Sequence, residues 1–135
     1  MAQLQPYLLF NGNCRQAMEF YQKHLGGKLE LMNFSQAPEG QCPAGAENRV
    51  MHACLLAGEL NLMASDATPD SAVKPGDDAY LCLSVESNEE AERLFKALSD
   101  KGRIIMPIAE TFWTTRFGMF EDQFGRHWMI NGRQK

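Results

Sequence analysis

The strongest constraint on this chain is a doubled order of elements. A helical stripe over Cys14–Leu25, CRQAMEFYQKHL, places Ala17, Met18, Tyr21 and Leu25 on one side. A second stripe over Glu89–Lys101, EEAERLFKALSDK, places Ala91, Leu94, Phe95 and Leu98 at i, i+3, i+4 and i+7. Asn13 is the expected N-cap of the first helix, and Gly26-Gly27 stops it. Ser87 or Asn88 caps the second, Glu89 and Glu90 suit its positive end, and Gly102 closes it. Each stripe follows one short apolar run and precedes three. The runs are Leu4–Phe10, Lys28–Phe34, Arg49–Leu56 and Glu59–Ala64, then Ala79–Val85, Arg103–Ile108, Thr115–Phe120 and Arg126–Asn131. Gly58 predicts a tight hairpin between the third and fourth. The order β-α-β-β-β therefore occurs twice, with AMEFY at Ala17 and AERLF at Ala91 in equivalent places. This predicts an α+β chain with module one over about residues 1–66, a linker rich in Pro, Gly, Ser and acids over about 67–77, and module two over about 78–135. A half of this size has one sheet face and one helix and buries little by itself, so the halves form one domain over 1–135 or pair between chains.

Composition narrows the function. With 13 Lys plus Arg against 17 Asp plus Glu, the net charge is −4, so the clustered basic excess that nucleic acid demands is missing. The 44% hydrophobic content is globular, and no apolar run approaches the roughly 20 residues needed to span a bilayer. MAQLQPYLLFNGNC lacks a basic region and a small-residue cleavage site, which predicts a soluble, cytoplasmic protein without a membrane partner. The four cysteines form no C-x-x-C pair. Cys54 and Cys82 lie in apolar runs and are expected to be small buried residues.

Four segments carry a resemblance: PYLLFNGNC at Pro6–Cys14, MHACLLAGELNLMASD at Met51–Asp66, ETFWTTRFG at Glu110–Gly118 and EDQFGRHWMIN at Glu121–Asn131. With the doubled element order, they resemble the PhnB-like branch of the vicinal oxygen chelate superfamily, which includes glyoxalase I, fosfomycin-resistance proteins and extradiol dioxygenases. The resemblance implies two βαβββ modules forming an open curved mixed sheet, a cup usually completed in a homodimer. It also implies a divalent metal held by His, Gln or Glu on the first and fourth strand of each module, where it stabilises negative charge developing on a chelating substrate. The counterparts of those ligands here are Pro6, Met63, Tyr80 and Met129. Proline has no side-chain donor, thioethers suit soft copper, and one phenol cannot hold a divalent ion. No metal ligand and no cofactor is therefore expected.

The remaining candidates are polar groups near aromatic ones. His52 belongs to a resembling segment and Glu110 lies in a loop beside Phe112 and Trp113, so both are candidate acid/base residues. Ordinary packing or capping accounts for His24 and His127. Phe112 and Trp113 are expected to line a ligand pocket, because a large aromatic pair in a loop has no evident packing need. Arg116 is expected to meet an anionic end of the ligand, with Tyr80, Met63, Met129 and Trp128 lining an apolar, adaptable cup. Asp122-Gln123-Phe124-Gly125 reads as a tight turn, and Asp66 as a loop cap. The chain has no G-x-G, P-loop or G-x-S-x-G, so the glycine-rich nucleotide loops and the hydrolase elbow are missing. Three functions remain: a small-molecule-binding homodimer without the superfamily metal, an acid/base lyase, isomerase or transferase with a non-standard metal or none, and a protein-interaction module.

Overall fold

The computed structural model describes residues 1–135. The chain divides into two compact units, Met1–Lys74 and Pro75–Lys135. The first has strand β1 (Tyr7–Phe10), helix α1 (Cys14–Leu25), β2 (Lys28–Asn33), a 3-10 turn at Phe34–Gln36, β3 (Val50–Ala57) and β4 (Leu60–Asp66). The second has β5 (Leu81–Ser84), α2 (Asn88–Leu98), β6 (Arg103–Ala109), β7 (Phe117–Glu121) and β8 (His127–Asn131). The α+β class and both βαβββ modules expected from the sequence are present. Their strands form two four-stranded mixed sheets, ordered β1-β4-β3-β2 and β5-β8-β7-β6. In each, the outer pair is parallel, β1 with β4 and β5 with β8, and the other pairs are antiparallel. No helix is long and apolar enough to cross a membrane.

Each helix covers one face of its own sheet. Ala17, Met18 and Tyr21 of α1 are fully buried, as are Phe10, Leu55, Leu62 and Ala64 from the strands of that unit. In the second unit, Leu94, Phe95 and Leu98 of α2 are buried with Phe120, Trp128 and Ile130. Phe95 meets Phe120 edge-on, with ring centroids 5.4 Å apart. Each fully buried side chain of this size contributes about 1.5–3 kcal/mol of transfer free energy, so a few such residues hold each helix to its sheet.

A buried aspartate locks each module. Asp66, the last residue of β4, accepts hydrogen bonds through Oδ1 from the amides of Gly12 (2.8 Å) and Cys14 (3.0 Å), and through Oδ2 from Val50 (2.8 Å). Asn13 holds the N-cap position of α1, but its side chain caps nothing; the Asp66 carboxylate meets the helix start instead. Asp122, just after β7, accepts through Oδ1 from the amides of Phe124 (2.8 Å) and Arg126 (3.0 Å), and through Oδ2 from the Trp128 indole (2.8 Å). Ser87 caps α2 as expected, accepting from Glu90 N.

Two equivalent glycines admit close strand approach. A Cβ at Gly27, before β2, would lie 2.1 Å from the Leu56 carbonyl oxygen, and one at Gly102, before β6, would lie 2.1 Å from that of Glu121. Gly27 also has φ +84°, which L side chains rarely adopt. The outer strand β6 pairs irregularly, with slips between Ile104 and Met106 and between Met106 and Ala109, and it contains Pro107.

Substituting Asp66→Ala should lower unfolding stability by about 3 kcal/mol, because several backbone donors lose their acceptor. Asp66→Asn, which keeps one carbonyl oxygen, should lose less. Urea unfolding followed by circular dichroism gives the order, and equal losses would contradict this account.

Candidate functional site

Strand alternation decides which side chains the helices cover. On the helix-free face of the first sheet, register aligns Tyr7, Met63, Cys54 and Glu30 in one row across β1, β4, β3 and β2. His52 stands on the same face two residues before Cys54, opposite Met32. Its Nδ1 lies 3.0 Å from the Tyr7 hydroxyl oxygen, with the two rings 5.8 Å apart. Both residues are exposed. The Tyr7–His52 pair was not evident from the sequence, because Tyr7 sits in an apolar run 45 residues from its partner.

On the helix-free face of the second sheet, register aligns Cys82, Met129, Met119 and Met106 across β5, β8, β7 and β6. Cys82, expected to be buried, is exposed because its strand turns it from the helix; the fully buried cysteine is Cys14, under α1. His127 lies on this same face, opposite Glu121 on β7. His127 Nε2 is 3.4 Å from Glu121 Oε1, and the Tyr80 ring meets the imidazole edge-on at 5.1 Å. Phe117 pairs with Asn131, whose side-chain oxygen is buried without a hydrogen-bond partner. Trp113 packs edge-on against Phe117 at 5.3 Å and against Phe112 at 4.9 Å. Phe112 is 87% exposed and Trp113 41%. An aromatic group left this open, next to an unpaired acceptor, is able to hold an apolar body and accept one N–H or O–H from it.

The residues selected from sequence therefore separate. Met63 and His52 share the helix-free face of the first sheet. Met129 and Tyr80 are associated with that of the second, where Phe112 and Trp113 reach it through Phe117. The other three lie elsewhere. Trp128 is 2% exposed on the α2 side and donates to Asp122, so it is a core residue. The Arg116 guanidinium is held by Glu92 of α2 at 2.9 Å and donates to the Thr115 carbonyl at 2.7 Å. Glu110 is ion-paired with Lys135, which, with a weaker contribution from Arg116, holds its carboxyl below the usual range. A carboxylate so favoured in its charged form is a weak proton acceptor.

The fold family implies a divalent metal, and the donor set here does not fit one. Around Met63 and Met129, the facing residues are Tyr7 and Cys82, from β1 and β5. Pro6 offers only its backbone carbonyl, which accepts from Met63 N at 3.3 Å. Taken position by position, the counterparts of the expected ligands, Pro6, Met63, Tyr80 and Met129, carry no side-chain carboxylate or imidazole for Mg²⁺, Mn²⁺ or Zn²⁺.

Comparison with known proteins agrees with this architecture. Residues 3–130 match the Glyoxalase/Bleomycin resistance protein/Dioxygenase superfamily. Protein YjdN of Escherichia coli (strain K12) is 36% identical over 142 aligned residues, covering 95% of this chain and 93% of its own. Among solved structures, protein PA1353 from Pseudomonas aeruginosa superposes with a TM-score of 0.91 at 46% identity, over 100% of both chains. The PhnB protein from Bacillus cereus superposes with a TM-score of 0.75 at 25% identity, over 98% of this chain and 100% of its own.

The Glu110 carboxyl should titrate below an ordinary glutamate by NMR and return to the ordinary range in Lys135→Met. The ion pair is complete above the usual glutamate range and is lost as pH falls through the depressed folded value. An unchanged midpoint in Lys135→Met would show that Lys135 is not the cause.

Proposed function

Because the chain belongs to the glyoxalase/bleomycin resistance protein/dioxygenase superfamily, we propose that it is a cytoplasmic, homodimeric small-molecule-binding protein that works without the superfamily's divalent metal. The observation that carries this reading is the row chemistry of the helix-free faces: Tyr7 and Met63 in one sheet, Cys82 and Met129 in the other, where a chelating site needs imidazole or carboxylate. The exposed ring group of Phe112 and Trp113, joined to Phe117, supports an apolar or aromatic ligand. The buried Asn131 oxygen supports a ligand that also carries a hydrogen-bond donor. Arg116 is tied to Glu92, so an anionic end finds no free guanidinium there.

A second reading rests on the Tyr7–His52 hydrogen bond. A phenol and an imidazole sharing a proton can serve as an acid/base pair for a lyase, isomerase or transferase. On that reading His52→Ala and Tyr7→Phe each lower turnover by about 10²–10⁴-fold while the fold is kept.

The metal-free reading is tested by stripping the purified protein with chelator, exposing it separately to Mn²⁺, Ni²⁺ and Zn²⁺, and desalting before elemental analysis. Less than one-tenth of an equivalent, about the level of adventitious surface binding, is expected for each. One equivalent of any of them would overturn it. Light scattering on the eluting peak should give the mass of two chains, and a single-chain mass would remove the dimer.

A further inference from the structure

Phe112 and Trp113 stand at the tip of a turn that residues 133–135 hold down. Thr111 and Thr114 close the turn: the Thr111 amide donates to the Thr114 carbonyl at 3.0 Å, and the Thr114 amide to the Thr111 hydroxyl at 3.1 Å. Past the end of β8 at Asn131, the amide of Gly132 still donates to the Arg116 carbonyl at 2.7 Å, and one antiparallel bridge follows, between Thr114 and Gln134. Two backbone bonds flank that bridge, from Thr115 N to Arg133 O at 2.9 Å and from Lys135 N to Trp113 O at 3.0 Å. The Thr114 hydroxyl, fully buried, donates to the Arg133 carbonyl at 3.0 Å. The Lys135 ammonium then meets Glu110, on the other shoulder of the turn. Trp113 is thereby set edge-on against Phe117 at 5.3 Å, while Phe112 stays open.

These ties are also easily undone. Arg133, Gln134 and Lys135 are all exposed, the bridge is a single pair, and the ion pair lies at the surface, where such pairs contribute little. Backbone bonds with so little apolar burial behind them open locally, well before the sheet does. We propose that residues 133–135 form a strap that holds the Phe112–Trp113 turn on Phe117, with the Glu110–Lys135 ion pair as its latch. Release of the strap bares the Phe117 ring, which stands opposite Asn131 and its unpartnered oxygen. The strap concerns the turn alone and stands whether or not the face takes a small molecule.

The test uses the full chain labelled with fluorotryptophan, which gives one fluorine resonance for each of the two tryptophans. Trp128, in the core, is the internal reference. Lys135→Pro removes both the amide that donates to Trp113 and the ammonium that meets Glu110, whereas Lys135→Met removes the ammonium alone. The Trp113 resonance should move towards that of the free amino acid, and its shift between H2O and D2O should grow, partly in Lys135→Met and further in Lys135→Pro, with Trp128 in place. A second readout needs no variant. In the wild type, hydrogen exchange at the Lys135 amide should be about tenfold or more slower than in an unstructured chain, yet faster than at the amides of β8. The latch is overturned if Trp113 keeps its resonance in Lys135→Met. The strap is overturned if Trp113 keeps it in Lys135→Pro, if Trp128 moves as well, or if the Lys135 amide exchanges freely or no faster than those of β8.

Discussion

Each module depends on a carboxylate removed from water and held by N–H donors. An uncompensated charge is costly in a protein interior, so Asp66 and Asp122 are tolerated there only because donors converge on them. Asp66 draws together the end of β4, the start of α1 and the start of β3. Asp122 draws the β7–β8 turn onto the indole of the core tryptophan. With those points fixed, the apolar stripe of each helix lies against one face of its sheet. The opposite face is then determined residue by residue through strand alternation.

That division explains the chemical character of the candidate site. The core takes the aromatic and branched residues of one parity, and the other parity carries Tyr7, His52, Cys54 and Met63 in one sheet and Cys82, Met119, Met129 and Asn131 in the other. Two charged groups that sequence alone makes attractive, Glu110 and Arg116, are neutralised by their surroundings, and a third carboxylate, Glu121, is engaged likewise. Lys135 holds Glu110, Glu92 holds Arg116, and the Glu121 carboxylate lies between His127 and Arg103. The helix-free faces thus combine soft sulfur and rings with a few polar groups, among them Glu30 in the first sheet and the His127–Glu121 pair in the second. Such surfaces adapt to ligand shape more readily than they enforce one coordination geometry.

Much of the fold was legible because local signals and periodicity agreed. The first helix matches its expected span of Cys14–Leu25, where a clean apolar stripe ends at Gly26. The second ends at Leu98 rather than Lys101, since Ser99 already caps it and Lys101 has φ +61°. The first strand begins at Tyr7 rather than Leu4, so the apolar character of Leu4 was misleading. The site was less legible because it depends on register. Trp128 and Met129 are neighbours in sequence, yet they occupy opposite faces, and nothing local says which one meets the helix. The partners of Arg116 and Tyr7 lie 24 and 45 residues away, beyond the reach of any spacing argument.

The irregular outer strand has a consequence of its own. Ile104, Ile105 and Met106 leave β6 greasy and accessible, the kind of border onto which a foreign strand readily zips. Pro107 has no amide hydrogen to offer, and the two slips break the spacing of the neighbouring groups. An incoming chain meets an interrupted ladder there, so the border resists growth into cross-β fibrils despite its stickiness.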